Sequence, residues 1–265
     1  MLNFVVALPS EARPLIDHLG LRPIAGAAAF PHWGKDGVNL LVSGPGKVAA
    51  AAATAYLGGL LEARPPGIWL NIGIAGHRQL PLGTPLLAHQ IIDRASGQTY
   101  YPVFTWPTDR PTGSVETVDT PESQYPENRA YDMEASGFFP TACRFASAEL
   151  VHCLKIVSDN RQTPLDGIDK KKVEGLIKSH LDLVDATVDH LQPRRRELAA
   201  LRSTPPLYRE LVQRHHFSAT QQHRLHRLLA ALAADGPALE DLLQLANGRA
   251  VLRELETRCQ NLPLL

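Results

Sequence analysis

Two short acidic phrases carry most of the chemistry this sequence can offer: Asp132-Met133-Glu134-Ala135 and Lys155-Ile156-Val157-Ser158-Asp159-Asn160. The second closes a strand-like run over 150–157, which places Asp159 at a strand's carboxyl end. In open α/β folds ligands bind along that edge. A glutamate and an aspartate held there suit recognition of sugar hydroxyls together with general acid chemistry. Taken alone, either phrase reads more simply as a helix cap or a solvated loop charge.

Other segments point to the same edge. Glu11 lies just past a strand-like run over 4–8. Gly44-Pro45-Gly46-Lys47 follows a strand and opens a helix, while Asn71-Ile72-Gly73-Ile74-Ala75-Gly76 ends another strand. Glycines in such turns let backbone approach a ligand closely. Neither turn is a phosphate loop or a dinucleotide fingerprint. Four turns after separate strands are thus expected to converge on one crevice bearing Glu11, Glu134 and Asp159.

The elements that must position them alternate in type. Strands are predicted over 4–8, 38–43, 68–72, 86–92, 114–118 and 151–157, with a helix over 47–63. That alternation predicts an α/β fold with helices on both faces of a sheet. A second helix over 133–145 contains Gly137 and Pro140, and Pro140 is expected to kink or end it. The Pro/Thr/Ser/Gly-rich stretch 105–128 reads as a long loop holding one short strand.

The chain changes character after Asp159. Val173, Leu176, Ile177, Leu181, Val184, Val188 and Leu191 have helical spacing over 168–191, with Pro193 expected to end the helix. The remainder reads as helices over 194–201, 220–234 and 238–260, with a short one opened near 205–208. Ser218 and Gln221 have capping-box spacing. The predicted division is an α/β domain over 1–192 and an all-helical extension over 193–265.

Composition sets wide bounds. A chain of 265 residues, 44% apolar and 20% charged, is that of an ordinary globular protein. Its formal charge of zero selects no partner for the molecule as a whole. Cys143, Cys153 and Cys259 are odd in number and lack metal-ligand spacing, which fits a reducing compartment. The first residues read as a β-strand rather than a signal peptide. No apolar run approaches the roughly 18 residues of a membrane helix. The expected location is cytoplasmic, away from membranes.

Within 194–226, Arg194, Arg195, Arg196, Arg202, Arg209, Arg214 and Arg224 face only Glu197 and Glu210. Contact with nucleic acid or an acidic protein is one reading, and a solvated helical face is the preferred one. His223 and His226 are spaced for a metal, but no cysteine or carboxylate accompanies them, so no metal is expected.

The segments 5–15, 41–61, 68–93, 131–135 and 154–160, in this order and spacing, resemble the nucleoside phosphorylase superfamily. They are most similar to its hydrolytic branch, the methylthioadenosine/adenosylhomocysteine nucleosidases. The resemblance covers about the first 190 residues and implies a phosphorylase-like central mixed β-sheet flanked by helices. It implies that Glu11 positions and activates the attacking water. Met133 and Glu134 match the pair under the ribose that receives its 2′ and 3′ hydroxyls. Asp159 matches the acid that protonates N7 of the departing purine, with Ser158 as its strand-end neighbour. Gly44, Gly73 and Ile74 fall in the matching substrate-binding turns. The implied activity is that of a purine nucleosidase acting on an adenosine-type nucleoside, with or without a 5′ modification. No cofactor is implied, the partner is a small-molecule nucleoside, and a homodimer is the expected assembly.

Phosphorylases of the superfamily carry a Gly-Asp-Pro-type turn with an arginine after the first strand, and another arginine where this chain has Asn71. Here that turn is Leu8-Pro9-Ser10-Glu11, and a glutamate there repels phosphate while suiting activation of water. Arg13 is expected to face solvent. Two departures stand out. Ile74 replaces the usual serine that supports the catalytic aspartate, and His77-Arg78 follows Gly76 where small residues are usual, either as substrate ligands or as a surface turn. A phosphate-dependent phosphorylase and a catalytically weak nucleoside-sensing module are the alternatives.

Overall fold

The structure is a computed structural model that describes residues 1–26, 29–61, 67–106, 111–164, 169–202, 205, 207–232 and 239–261. The chain divides into two compact units, Met1–Leu198 and Ala199–Leu265.

The first unit is built from β1 (Leu2–Val6), α1 (Pro9–Leu19), β2 (Arg22–Pro23), β3 (His32–Lys35), β4 (Val38–Val42), α2 (Lys47–Leu61), β5 (Ile68–His77), β6 (Pro85–Asp93) and β7 (Thr99–Tyr100). It continues with β8 (Thr112–Thr117), β9 (Ala130–Asp132), α3 (Ala135–Ala142), β10 (Val151–Asn160), α4 (Lys170–Lys178) and α5 (Leu181–Arg202), whose last turn enters the second unit. The strands form one mixed sheet in the order β10-β6-β8-β9-β5-β1-β4-β3-β2, with β7 on β6. Because β10 also pairs in parallel with β5, the strands β5, β9, β8, β6 and β10 close into a ring. The strands β1, β4, β3 and β2 extend from that ring as an open wing.

The long strands explain the apolar runs in the sequence. Every residue of β10 is buried, so both faces are covered and strict alternation is lost. A register shift lies between Val157, opposite Ala75, and Asp159, opposite Gly76, leaving Ser158 as the extra residue of a β-bulge. In a regular strand Ser158 and Asp159 would point to opposite faces; a bulge re-aims them.

Several elements differ from the sequence expectation. The short strands β2, β3, β7 and β9 were not anticipated, being two to four residues long. Such pieces carry too few residues for a periodic signal. The helix expected from 133 begins at Ala135 and runs through Pro140 to Ala142. Gly137 is not a weakness there: a Cβ on it would lie 1.9 Å from the carbonyl oxygen of Lys47, so glycine lets α3 seat on the start of α2. The helix expected over 168–191 is two helices, and residue 168 lies outside the described residues. At the break, Ser179 Oγ donates to the Leu176 carbonyl and competes with helical continuation. Pro193 does not end α5 but sits inside it. Leu191 and Leu198 pack into the same core on either side of that proline. Their burial offsets the one backbone hydrogen bond that proline removes.

The second unit, described by itself, contains α6 (Tyr208–Arg214), α7 (Ala219–Leu232), a 3-10 turn (Glu240–Gln244) and α8 (Gly248–Gln260). Leu211, Phe217, Leu225, Leu229, Leu232, Leu242, Val251, Leu252 and Leu255 form its core, so Leu225, Leu229 and Leu232, spaced along one face of α7, are covered within the unit. The Ser218 capping box is present: Gln221 N donates to Ser218 Oγ at 3.3 Å and Ser218 N to Gln221 Oε1 at 2.9 Å. The helix expected over 238–260 is interrupted, because Asn247 Oδ1 accepts from Ala250 N at 3.0 Å and starts α8 afresh. Residues 233–238 lie outside the described residues. Among the described residues no cluster of His, Cys, Asp or Glu is arranged to hold a metal. None of their helices is long and apolar enough to cross a membrane.

Candidate active site

The carboxyl ends of β1, β4, β5, β8, β9 and β10 meet around one pocket. It is lined by Ala7, Leu8 and Glu11, by Pro45, by Ile74–Gly76, by Val118, Pro121 and Glu122, by Tyr131–Glu134, and by Ser158 and Asp159. Its cavity volume is about 110 Å³, and its mouth is open to solvent. Glu11, Glu134 and Asp159 are therefore brought together, with Met133, Ile74 and Ser158 beside them.

Glu11 is placed by a helix start. It is the third residue of α1, and its Oε2 accepts from the backbone N–H groups of Ala7 and Leu8, both at 2.9 Å. Its Oε1 accepts from Ile74 N at 2.9 Å. A Cβ on Gly73 would fall 2.7 Å from Glu11 Oε1 and 3.5 Å from Lys155 Nζ, so glycine is what admits both groups. Burial raises the Glu11 pKa, against the pull of Lys155 and those three amides. Gly73 thus acts behind the pocket wall. Gly44 is also absent from the lining: with φ +83° it shapes the turn, while the next residue, Pro45, touches the cavity. Gly46 N then donates to Glu134 Oε1 at 2.9 Å.

Behind these carboxylates lies a cation that the motif reading passed over. Lys155 is 1% exposed, with its ammonium 2.7 Å from Asp132 Oδ2 and 3.8 Å from Glu134 Oε2. Burial opposes its charge, yet Asp132 and Glu134 hold its pKa above the ordinary lysine value. The sequence signal was a lysine in the middle of an apolar run covered on both faces, since such a charge must be paired. Asp132 is equally built in, accepting from Thr117 Oγ1 at 2.7 Å and Ala135 N at 2.8 Å. Asp132 is the last residue of β9 and not the N-cap of α3, a position held by Glu134 without a side-chain cap bond, so the simpler reading as a helix cap or solvated charge does not describe it.

Glu134 has its pKa pushed up to about 7, first by burial and then by Asp132 and Glu11, with Lys155 opposing. Between the unperturbed value of 4.5 and about 7, the native state holds a proton that the unfolded chain has shed. Stability therefore falls as pH rises through that window, and the whole cost is present above it. Glu134→Gln removes this titration. Urea melts should show the variant matching wild type near pH 4.5 and exceeding it at pH 8 by about 1–3 kcal/mol. An unchanged difference between the two pH values would contradict this assignment.

Asp159 is held from both sides. Ser158 Oγ donates to its Oδ1 and the Tyr125 hydroxyl donates to its Oδ2. Tyr125 has no exposed surface, lies against Tyr131 with ring centroids 6.0 Å apart, and adopts φ +45°. That left-handed conformation costs a non-glycine residue about 1–2 kcal/mol. No sequence signal marked Tyr125, whose contact with Asp159 spans 34 residues from within a loop.

The remaining candidates have structural partners. Arg13 pairs with Asp17 at 2.9 Å on an exposed helix face. His77 Nδ1 accepts from the N–H groups of Gln79 and Leu80, at 3.1 and 3.0 Å, and burial lowers its pKa. Arg78 donates to the Pro126 carbonyl at 2.6 Å. His77 thus serves the turn after β5, and Arg78 ties that turn to the loop at Pro126. Asn71 Nδ2 donates to the Val5 carbonyl at 2.9 Å and ties β5 to β1.

No known family profile matches the sequence, and no curated protein matches it. Solved structures do. The methylthioadenosine/adenosylhomocysteine nucleosidase of S. pneumoniae, solved with a transition-state inhibitor, superposes with a TM-score of 0.55 at 18% identity, covering 72% of this chain and 99% of that one. The nucleosidase of Colwellia psychrerythraea 34H, solved with adenine, gives 0.56 at 20% identity over 71% of this chain and 94% of that one. This chain has the nucleosidase fold. A futalosine hydrolase mutant of Helicobacter pylori shares it, with a TM-score of 0.53 at 15% identity over 72% of this chain and 99% of that one.

Proposed function

We propose that this protein is a purine nucleosidase that hydrolyses the N-glycosidic bond of an adenosine-type nucleoside. The observation that carries the reading is the meeting of Glu11, Glu134 and Asp159 in one pocket, each delivered by a different segment of the sheet edge. Breaking the glycosidic bond builds positive charge on the sugar and negative charge on the base. In this reading Glu134 receives the ribose hydroxyls above Met133, and its carboxylate stabilises the cationic sugar. Glu11 orients the attacking water and takes its proton, and Asp159 gives a proton to the base nitrogen. A carboxyl pair divided between attack and departure is the general solution for glycoside cleavage.

The charge of the lining favours water over phosphate as the attacking group. Five acidic side chains line the pocket (Glu11, Glu122, Asp132, Glu134 and Asp159), and no lysine or arginine does so among the described residues. Lys155 is already engaged by Asp132. A phosphate dianion entering there meets repulsion, whereas a neutral water does not. Adenine release from adenosine and 5′-methylthioadenosine is therefore expected to proceed at the same rate with and without phosphate, giving the free sugar. Release only with phosphate would establish a phosphorylase. Nucleoside binding without release would establish a sensing module.

A further inference from the structure

We infer that Tyr125 is a positioning residue for departure of the base, acting through Asp159; the inference rests on the nucleosidase reading above. The geometry is built around Gly76. The sheet register places Asp159 beside Gly76 on one flank and Tyr131 on the other. The ring of Tyr125 packs on Tyr131 and passes under Gly76, so that its hydroxyl reaches Asp159 Oδ2. A Cβ on Gly76 would lie 2.6 Å from both Asp159 Oδ2 and Tyr125 Cε1. The contact therefore exists only because residue 76 lacks a side chain.

Tyr125 does not line the pocket, while Asp159 does. The phenol thus approaches the carboxyl from behind and fixes its rotation, with Ser158 holding the other oxygen. A hydroxyl donates and accepts. As Asp159 passes its proton to the base nitrogen, a carboxylate forms, and the Tyr125 O–H already points at it. Hydrogen bonds to an ionised acceptor are stronger than those to a neutral one, so the contact strengthens as the base departs. The positive φ of Tyr125 is consistent with a backbone held where this contact requires it.

The test uses two probes on the full chain: 5′-methylthioadenosine, whose base needs a proton, and p-nitrophenyl β-D-ribofuranoside, whose leaving group departs without one. Tyr125→Phe should lower the ratio of kcat for the first to kcat for the second by about tenfold or more, a fraction of what a whole general acid supplies. In a cycle with Asp159→Asn the effect should vanish, since the phenol acts through that carboxyl. Equal loss on both probes, or an unchanged ratio, overturns the inference, as does a Tyr125 effect that persists in the Asp159→Asn background. If Tyr125→Phe fails to fold, Gly76→Ala separates the same two groups and should shift the same ratio. A wild-type protein that cleaves neither probe overturns the nucleosidase reading itself, and the inference with it.

Discussion

Asp159→Asn is expected to lower adenine release by about 10²–10⁴-fold, the contribution of a positioned general acid. Asparagine keeps the shape of the side chain but has no proton to give. Its surroundings tolerate the exchange. The hydroxyls of Ser158 and Tyr125 donate to the two side-chain oxygens, and each can rotate to accept from an amide instead. The melting temperature should accordingly stay near that of wild type while kcat collapses. Single-turnover base release, measured beside a thermal melt, checks both halves. A variant that releases adenine at the wild-type rate would remove Asp159 from the reaction.

The largest effect on stability is expected from Lys155→Met. The substitution keeps the length of the side chain and deletes the ammonium that lies 2.7 Å from Asp132 and 3.8 Å from Glu134. Asp132 is fixed by Thr117 and the start of α3, and Glu134 accepts from Gly46, so both carboxyl groups are held in place beside the missing charge. Breaking a buried pair from one side typically costs about 3–5 kcal/mol, a large share of the usual stability of a domain. The pKa of Lys155 is raised, so its contribution is intact below the ordinary lysine value and is lost only in strong alkali. The loss in the variant should be greater at pH 8, above the value of about 7 to which Glu134 is raised in the wild type, than at pH 5, where Glu134 already holds a proton. Urea midpoints at the two pH values read this directly. A variant as stable as wild type at pH 8 would show that the carboxylates have another counter-charge.

Much of the site was legible because its residues sit where strands end. Glu11 and Asp159 lie at the ends of runs whose apolar character marks buried strands, and the edge rule brings such positions together; Glu134 follows β9, which at three residues is too short to show in the sequence. What escaped depended on contacts between distant segments. Lys155 was visible as a charge inside an apolar run, but its partners were not, because Asp132 and Lys155 meet through β9 and β10 flanking β5, an order that no local pattern writes. Tyr125 lies in a loop with no periodicity, and nothing local says that its ring passes under Gly76. Proline misled at position 193, where it was expected to end a helix. Pro140 and Pro193 both sit within helices, since one lost hydrogen bond is outweighed when the flanking residues are buried. Short edge strands such as β2 and β7, two residues each, exist only because a longer neighbour templates them.

The sheet's division into a closed ring and an open wing separates the two halves of the proposed reaction. Asp159 and Glu134, which would handle the base and the sugar, hang from strands that are each paired on both sides around a cylinder. Glu11, which would handle the attacking molecule, hangs from β1 at the root of the wing. The turn between β1 and α1 can be rewritten without reopening the cylinder. The group that would meet the attacking molecule and the groups that would expel the base therefore answer to different parts of the sheet.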